Sequence, residues 1–358
     1  MEESTITYAG NTYAGEVLEN LLVYTAQGND TYDEGLIHIK PGLQKRFTLP
    51  HVKLGKIIQD NKPTPTSNEG KAGADGANAF TLSERYLEPH DFMVYLEFNP
   101  RAFERFWRPF QPTGPLVFRE LDPSVQAKML ELLIDKKDQY INDAIWSSKL
   151  GGADGEIVSD NDSNIVIGGD AEAGPMKYFN GFMARAVENL NSTDPNEVAS
   201  GKMILAGNTV LDTGEKVEAA LSAMYKACPK RLRKSKKIKF VMDFDLWDLY
   251  DQYLSSKSMK YAENTEVNQY KFKGKRIVPI NGMPEQTIAL GKFTTDEDSC
   301  LWMGIDYDTD QESVKVDRLQ NNSELYFFQM RMKIDVNIVK PGEIVLWSTY
   351  KKAPKDGE

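Results

Sequence analysis

The sequence predicts an α+β chain built from long, flat elements, and three observations carry that reading. The first is FQMRMKIDVNIV, Phe328 to Val339, where Phe328, Met330, Met332, Ile334, Val336 and Ile338 alternate with polar residues. Period two marks a strand with one apolar face, and twelve residues at ~3.4 Å each reach roughly 40 Å. The second is a helix over 123–147, opened by Asp122 and Pro123 and closed by Gly151-Gly152. Leu130, Leu133, Ile134, Ile141 and Ile145 recur along it at mostly helical spacing. At ~1.5 Å per residue it spans roughly 36 Å, so helix and strand have the length to lie along each other. The third is a pair of strand-like runs, FTLPHVKLGKII and FTLSERYLEPHDFMVYLEF, flanking a segment with Pro63, Pro65, Gly70, Gly73 and Gly76 and no large apolar residue. That arrangement predicts a two-stranded finger tipped by a long loop.

In chain order, the segment before Leu36 is polar and reads as an extended arm, and LIHIK begins the strand-like pattern. After the finger, FERFWRPF at Phe103 to Phe110 reads as a short helix packed on the sheet; Arg101, Arg105 and Arg108 have a second reading as partners for acids on another molecule. The stretch from Gly151 to Gly174 is rich in glycine and aspartate and predicts a loop or short hairpin. Then YFNGFMARAVENL and GEKVEAALSAMYKACP read as helices, the second with Val217, Ala220, Leu221 and Met224 on one face. IKFVM reads as a buried strand, and DFDLWDLYDQYLSS as a helix capped by Asp245 with Leu246, Leu249, Tyr250, Tyr253 and Leu254 inward. KFKGKRIVPI and QTIALGKF read as strands joined by NGMP. These pieces form a compact α/β unit, and long strands return from about Leu301.

Composition sets limits on function. With 358 residues, 41% hydrophobic and 27% charged, the chain can bury a real core. No apolar run approaches the ~18 residues of a membrane span, and the first residues lack a signal-peptide pattern, so the expectation is a soluble chain with no membrane partner. Cys228 and Cys300 are too few for a disulfide framework and are expected reduced. A formal net charge of −10 argues against a surface that grips nucleic acid throughout, so any DNA contact must be local and weak.

Few residues suggest chemistry. His38, His51 and His90 do not cluster with cysteines or with a nucleophile. LGKFTT at Leu290 fails as a phosphate loop because Gln286 stands where glycine is required. DYDTDQESVKVD, from Asp306, begins like a calcium loop but has Gln311 at the sharp turn and reads as a solvated acidic turn; DNDSN at Asp160 fits less well. No catalytic residue, cofactor site or metal site is expected. The densest charge is KRLRKSKKIK, where Lys230, Arg231, Arg233, Lys234, Lys236, Lys237 and Lys239 are seven bases in ten residues. It reads either as a solvated connector or as an electrostatic contact, with packaged nucleic acid or with an acidic surface of a neighbouring subunit. Base-stacking aromatics are absent from it.

Several segments resemble the major capsid protein of tailed bacteriophages, the Hong Kong 97-type coat fold. EPHDFMVYLEFNPRAFE resembles the family's return strand from its extended loop, and PSVQAKMLELLIDKKDQYINDAIWSSKLGG its spine helix. KFVMDFDLWDLYDQYL and KFKGKRIVPINGMPEQTIALGKF resemble parts of its axial domain. LWMGIDYDTDQESVKVDRLQNNSELYFFQMRMKIDVNIVKPGEIVLW resembles the closing strands of its peripheral domain.

The resemblance implies an N-terminal arm over 1–35, a peripheral-domain strand and extended hairpin over 36–98 with its tip at about 60–78, and a peripheral domain with the spine helix over 99–178. It further implies an axial domain over 179–293, then peripheral-domain strands and a tail over 294–358. The implied function is a non-enzymatic subunit forming hexamers and pentamers of an icosahedral head around double-stranded DNA, assembled in the bacterial cytoplasm and residing in the virion. About 35 residues precede the first strand, too few for the family's N-terminal scaffolding extension, so a separate scaffolding protein is expected, with portal and decoration proteins as further partners. Lys62, Glu69 and Lys71 are the candidate contacts of the loop tip. Lys56, Lys62 and Lys71 lie in or beside the finger, but no acceptor for the cross-link known in some members can be matched. An encapsulin-like compartment and, remotely, a metal-dependent enzyme using the acids near Asp306 are the alternatives.

Overall fold

The computed structural model describes residues 5–8, 11–14, 30–54, 61, 80–99, 123–152, 157–159, 167–190, 203–205, 210–257, 270–306, 314–320 and 325–352. Its axis is the long strand, Tyr326–Ile338, thirteen residues that reach roughly 44 Å. Such a strand needs more than one partner per edge. Val314–Arg318 and Leu301–Asp306 pair with its two halves, and His90–Phe98 pairs antiparallel with Tyr326 to Ile334. The sheet continues through Thr5–Tyr8 and Asn11–Ala14 at one end and His38–Lys40 at the other. Thr5–Tyr8 and Asn11–Ala14, inside the segment read as an arm, form a hairpin on the sheet edge.

The helix predicted from Asp122-Pro123 runs Pro123–Ser147, and Gly151 and Gly152 beyond it take φ of 89° and 95°, a left-handed backbone that suits glycine. It does not lie directly along the long strand as expected. A shorter helix, Phe182–Leu190, contacts both and fills the space between them. The close approach starts at Gly181, where a Cβ would sit 2.7 Å from the Ala144 carbonyl oxygen on the spine helix. Ile141, Ile145 and Trp146 of the spine helix join Phe182 and Met183 of the bridging helix and Ile334, Val336 and Ile338 of the strand in one core. The apolar face of the strand thus reaches the spine helix through an intermediate layer.

The N-terminal segment enters this core before Leu36. Thr31 is fully buried in the helical turn Asp30–Asp33; its hydroxyl donates to Asn142 Oδ1 at 2.9 Å and accepts from Trp146 Nε1 at 2.9 Å. At the next residue of the helix, burial, Glu172 and Asp30 push the Asp143 carboxyl up to about 6. A folded-state pKa above the unfolded value near 3.9 gives stability that is full below that value and is lost as pH rises through about 6. Asp143→Asn is therefore expected to raise the unfolding temperature at pH 7, with the gain vanishing near pH 4; calorimetry at the two pH values checks it.

The second sheet is the compact α/β unit, with strand order Met203–Leu205, Val345–Ser348, Ile288–Lys292, Ile238–Asp243, Lys275–Ile280, Lys271–Phe272. The stretch read as the single strand KFKGKRIVPI turns sharply at Lys273-Gly274, with φ of 47° and 75°, and pairs back on itself as a hairpin. Helices Gly214–Ala227 and Phe244–Ser256 cover the sheet, burying Val217, Leu221, Met224, Leu246 and Tyr250 against Phe240, Ile277 and Leu290. The cap of the second helix is Asp243, whose Oδ1 accepts from the Phe244 N–H at 2.9 Å, and not Asp245. Leu249, Tyr253 and Leu254 are half-buried rather than central. Both cysteines are buried free thiols, and burial pushes that of Cys300 up to about 12.

The finger is the antiparallel pair Phe47–Leu54 and Phe80–Leu87, in continuous register from Phe47↔Leu87 to Leu54↔Phe80. His90–Phe98, read as part of the returning finger, belongs instead to the large sheet; Glu88-Pro89 separates the two strands.

Candidate assembly sites

The finger is held at its base by polar groups on the long strand. Alternation predicted that Asp335 and Asn337 face outward, yet Asp335 is fully buried and Asn337 is 4% exposed. Asp335 Oδ2 accepts from the Glu88 N–H at 2.8 Å, and Asn337 Nδ2 donates to the Tyr86 carbonyl at 2.6 Å. Both contacts are to the backbone where the finger meets the sheet. Leu43, Leu49, Leu87 and Val339 close an apolar seal beside them. Gly304 packs closely there: a Cβ would lie 2.7 Å from Leu43 Cδ1, and that side chain would have to move.

A buried carboxylate needs compensation. It comes from Arg185 on the bridging helix, whose Nη2 lies 3.2 Å from Asp335 Oδ1 and whose Nε donates to the Val336 carbonyl at 3.3 Å. Pairing with His90–Phe98 ends at Ile334↔His90, so the guanidinium takes up a carbonyl just past the end of that ladder. Burial pushes the Asp335 pKa up, and Arg185 and the Glu88 N–H pull it back. Bridging helix, long strand and finger base are thereby joined around one ion pair.

The basic run separates into two sets. Arg233 donates to the carbonyls of Cys228 at 2.8 Å and Lys226 at 2.5 Å, completing the end of helix Gly214–Ala227. Lys237 pairs with Asp296 at 2.8 Å. Lys239, half-buried, donates to the carbonyls of Glu34 at 2.8 Å and Gly35 at 2.9 Å, and burial lowers its pKa. Lys230, Arg231, Lys234 and Lys236 remain: they are exposed and have no ion pair or hydrogen bond among the described residues. Lys275 fixes their loop by donating to the Ser235 carbonyl at 2.6 Å. The structure therefore reduces the run of seven to a corner of four uncommitted cations.

Asp306 is buried at the end of its strand, with Lys333 Nζ at 3.6 Å; the same ammonium lies 3.6 Å from Asp91. With Met93 and Arg331 these residues line a shallow groove of about 330 Å³. Among the described residues, no group of three or more His, Cys, Asp or Glu is placed to hold a metal ion. The remaining acids of that turn, the FERFWRPF segment, and the tip residues Lys62, Glu69 and Lys71 lie outside the described residues. His38 Nδ1 donates to the Thr295 carbonyl at 2.6 Å with its ring against Trp302, a packing role.

No protein-family profile and no curated protein matches the sequence. Solved structures do match in fold. A chain of the satellite phage P4 procapsid that includes the size determination (Sid) protein superposes with a TM-score of 0.53 at 12% identity, over 94% of this chain and 100% of that one. A capsid chain of the cyanophage P-SCSP1u gives 0.48 at 11% identity, covering 88% and 87%. The SrpI encapsulin of Synechococcus elongatus PCC 7942 gives 0.46 at 10%, covering 88% and 85%.

Proposed function

We propose, from the Hong Kong 97-type capsid fold of this chain, that it is the major capsid protein of a tailed bacteriophage or prophage, a non-enzymatic subunit that assembles into hexamers and pentamers of an icosahedral, DNA-containing head. The observation that carries the reading is the correspondence with the P4 procapsid chain over that chain's whole length. The physical design supports it. A strand of roughly 44 Å and a helix of roughly 37 Å cover area with little mass. In this reading the tip of the finger makes its contacts with other molecules, as surface loops commonly do. Repeated heterologous contacts of this kind close into rings and shells, and many weak contacts together give a kinetically durable particle.

In this reading the partners are further copies of the chain, a separate scaffolding protein, a portal and decoration proteins, with weak non-specific contact to packaged double-stranded DNA. Assembly takes place in the cytoplasm of the bacterial host. Lys62, Glu69 and Lys71 belong to the contact made by the finger tip.

Electron microscopy of the expressed protein, with and without its scaffold, tests the proposal. Rings and closed shells are expected; persistent ring-free monomers under assembly conditions overturn it. Shells that enclose a protein cargo and never DNA would point to a compartment instead. Deleting Pro63 to Ala77 is expected to leave the subunit folded by circular dichroism while abolishing closed shells, and normal shells from that deletion would refute the role given to the finger.

A further inference from the structure

Among the described residues, the α/β unit carries uncompensated charge of opposite sign at the two ends of one strand, Ile238–Asp243. Before its first residue stand Lys230, Arg231, Lys234 and Lys236, the four cations left over once Arg233, Lys237 and Lys239 are accounted for. At its other end stand Asp243, its last residue, and beyond it Asp245 and Glu285. The parallel partner Lys275–Ile280 ends beside Asp243 (Asp243↔Ile280), and the turn that follows it carries Glu285. The three acids lie close enough for Asp245 and Glu285 to raise the pKa of Asp243, after burial itself. Asp243 is the helix cap. Asp245 and Glu285 are exposed, and their side chains have no ion pair or hydrogen bond among the described residues.

These two surfaces cannot neutralise each other within one molecule. About 17 Å of strand separates them, roughly twice the screening length at physiological ionic strength. Each uncompensated end repels its own kind and attracts the other, so the arrangement favours a second copy placed head to tail. Head-to-tail contacts are heterologous, and they generate rings when the rotation closes. DNA is the competing occupant of the basic corner alone, but it would leave the acidic edge unexplained.

We propose that the basic corner of Lys230, Arg231, Lys234 and Lys236 on one copy docks on the acidic edge of Asp243, Asp245 and Glu285 on the next copy around a ring. The inference rests on the shell-forming reading and specifies which surfaces of neighbouring subunits meet.

Charge reversal tests it in the full chain. One variant carries K230E, R231E, K234E and K236E; a second carries D245K and E285K and keeps the Asp243 cap. Circular dichroism and the unfolding temperature confirm that each is folded. Sedimentation and electron microscopy then measure the fraction of protein in rings and shells. Each variant alone is expected to lose about tenfold or more of that fraction, the effect of a coupling near 1.4 kcal/mol. A chain carrying both sets of changes should recover to within about threefold of the unmodified protein. An equimolar mixture of the two variants can satisfy every contact only by alternating, so it should yield even-membered rings and no pentamers. Normal assembly by either single variant overturns the pairing while leaving the shell reading intact. So does loss without recovery in the combined chain, or intact shells that retain less double-stranded DNA, which would assign the corner to the nucleic acid. Failure of the unmodified protein to form rings overturns the shell reading and this inference with it.

Discussion

Arg185→Ala is expected to destabilise the unassembled subunit by about 3–5 kcal/mol, because it leaves a buried carboxylate without its counter-ion. Asp335 would keep the Glu88 N–H at 2.8 Å but lose the guanidinium, and the Val336 carbonyl would lose its donor. The Asp335 pKa, already raised by burial, would climb further. A raised carboxyl pKa contributes stability at low pH that is lost as pH rises, so the variant should suffer most at pH 7 and recover part of the loss on acidification. Denaturant unfolding of Arg185→Ala, Asp335→Leu and the double variant provides the cycle. The double variant should lose less than the sum of the singles by more than ~1 kcal/mol; additive losses would contradict the network. Limited proteolysis adds a local readout, since cleavage within 47–87 should accelerate before the α/β unit is attacked.

Gly282→Ala is expected to cost about 1–3 kcal/mol through overpacking at the joint between the two sheets. Gly282 lies in the turn after Lys275–Ile280, and a Cβ there would sit 2.5 Å from the carbonyl oxygen of Asn142 and 2.8 Å from its carbon, both on the backbone of the spine helix. Backbone cannot swing aside as a side chain can, so the α/β unit must shift away from the spine. Asn142 also holds Thr31, which makes the N-terminal segment part of the same joint. Denaturant unfolding measures the loss; on the shell reading proposed above, a changed angle between the two units is expected to alter particle diameter, which electron microscopy reads. Unchanged stability and unchanged diameter together would show that the joint is looser than its geometry indicates.

Local signals carried much of this architecture. The spine helix was legible to its first residue because an acid followed by proline, ahead of helical apolar spacing, is a helix-start pattern, and to its end because the paired glycines stop one. The alternation of Phe328 to Ile338 marked a long strand whose structure starts two residues earlier, at Tyr326. What could not be read depends on partners distant in sequence. Strand character resumes directly after Glu88-Pro89, and that pair by itself does not distinguish an interruption within one finger strand from a step into another sheet; the pairing with Tyr326 to Ile334 does. Asp335 and Asn337 sit at positions that would face water in a two-layer sheet, and the groups that engage them are distant in the chain: the finger base, some 250 residues away, and for Asp335 also Arg185, 150 residues away. The basic run was visible as composition, but which members are committed depends on carbonyls at the end of a helix and in the Glu34-Gly35 turn.

The anchorage of the finger has an evolutionary consequence. Asp335 and Asn337 hold an N–H and a carbonyl, groups that almost any residue supplies, with proline at position 88 the one exclusion. The grip is blind to the side chains it secures. Outward of the apolar seal at Leu49 and Leu87, the finger can be lengthened, shortened or exchanged without disturbing its socket. On the reading proposed above, in which the finger tip meets other molecules, that part is therefore free to change sequence faster than the frame that presents it.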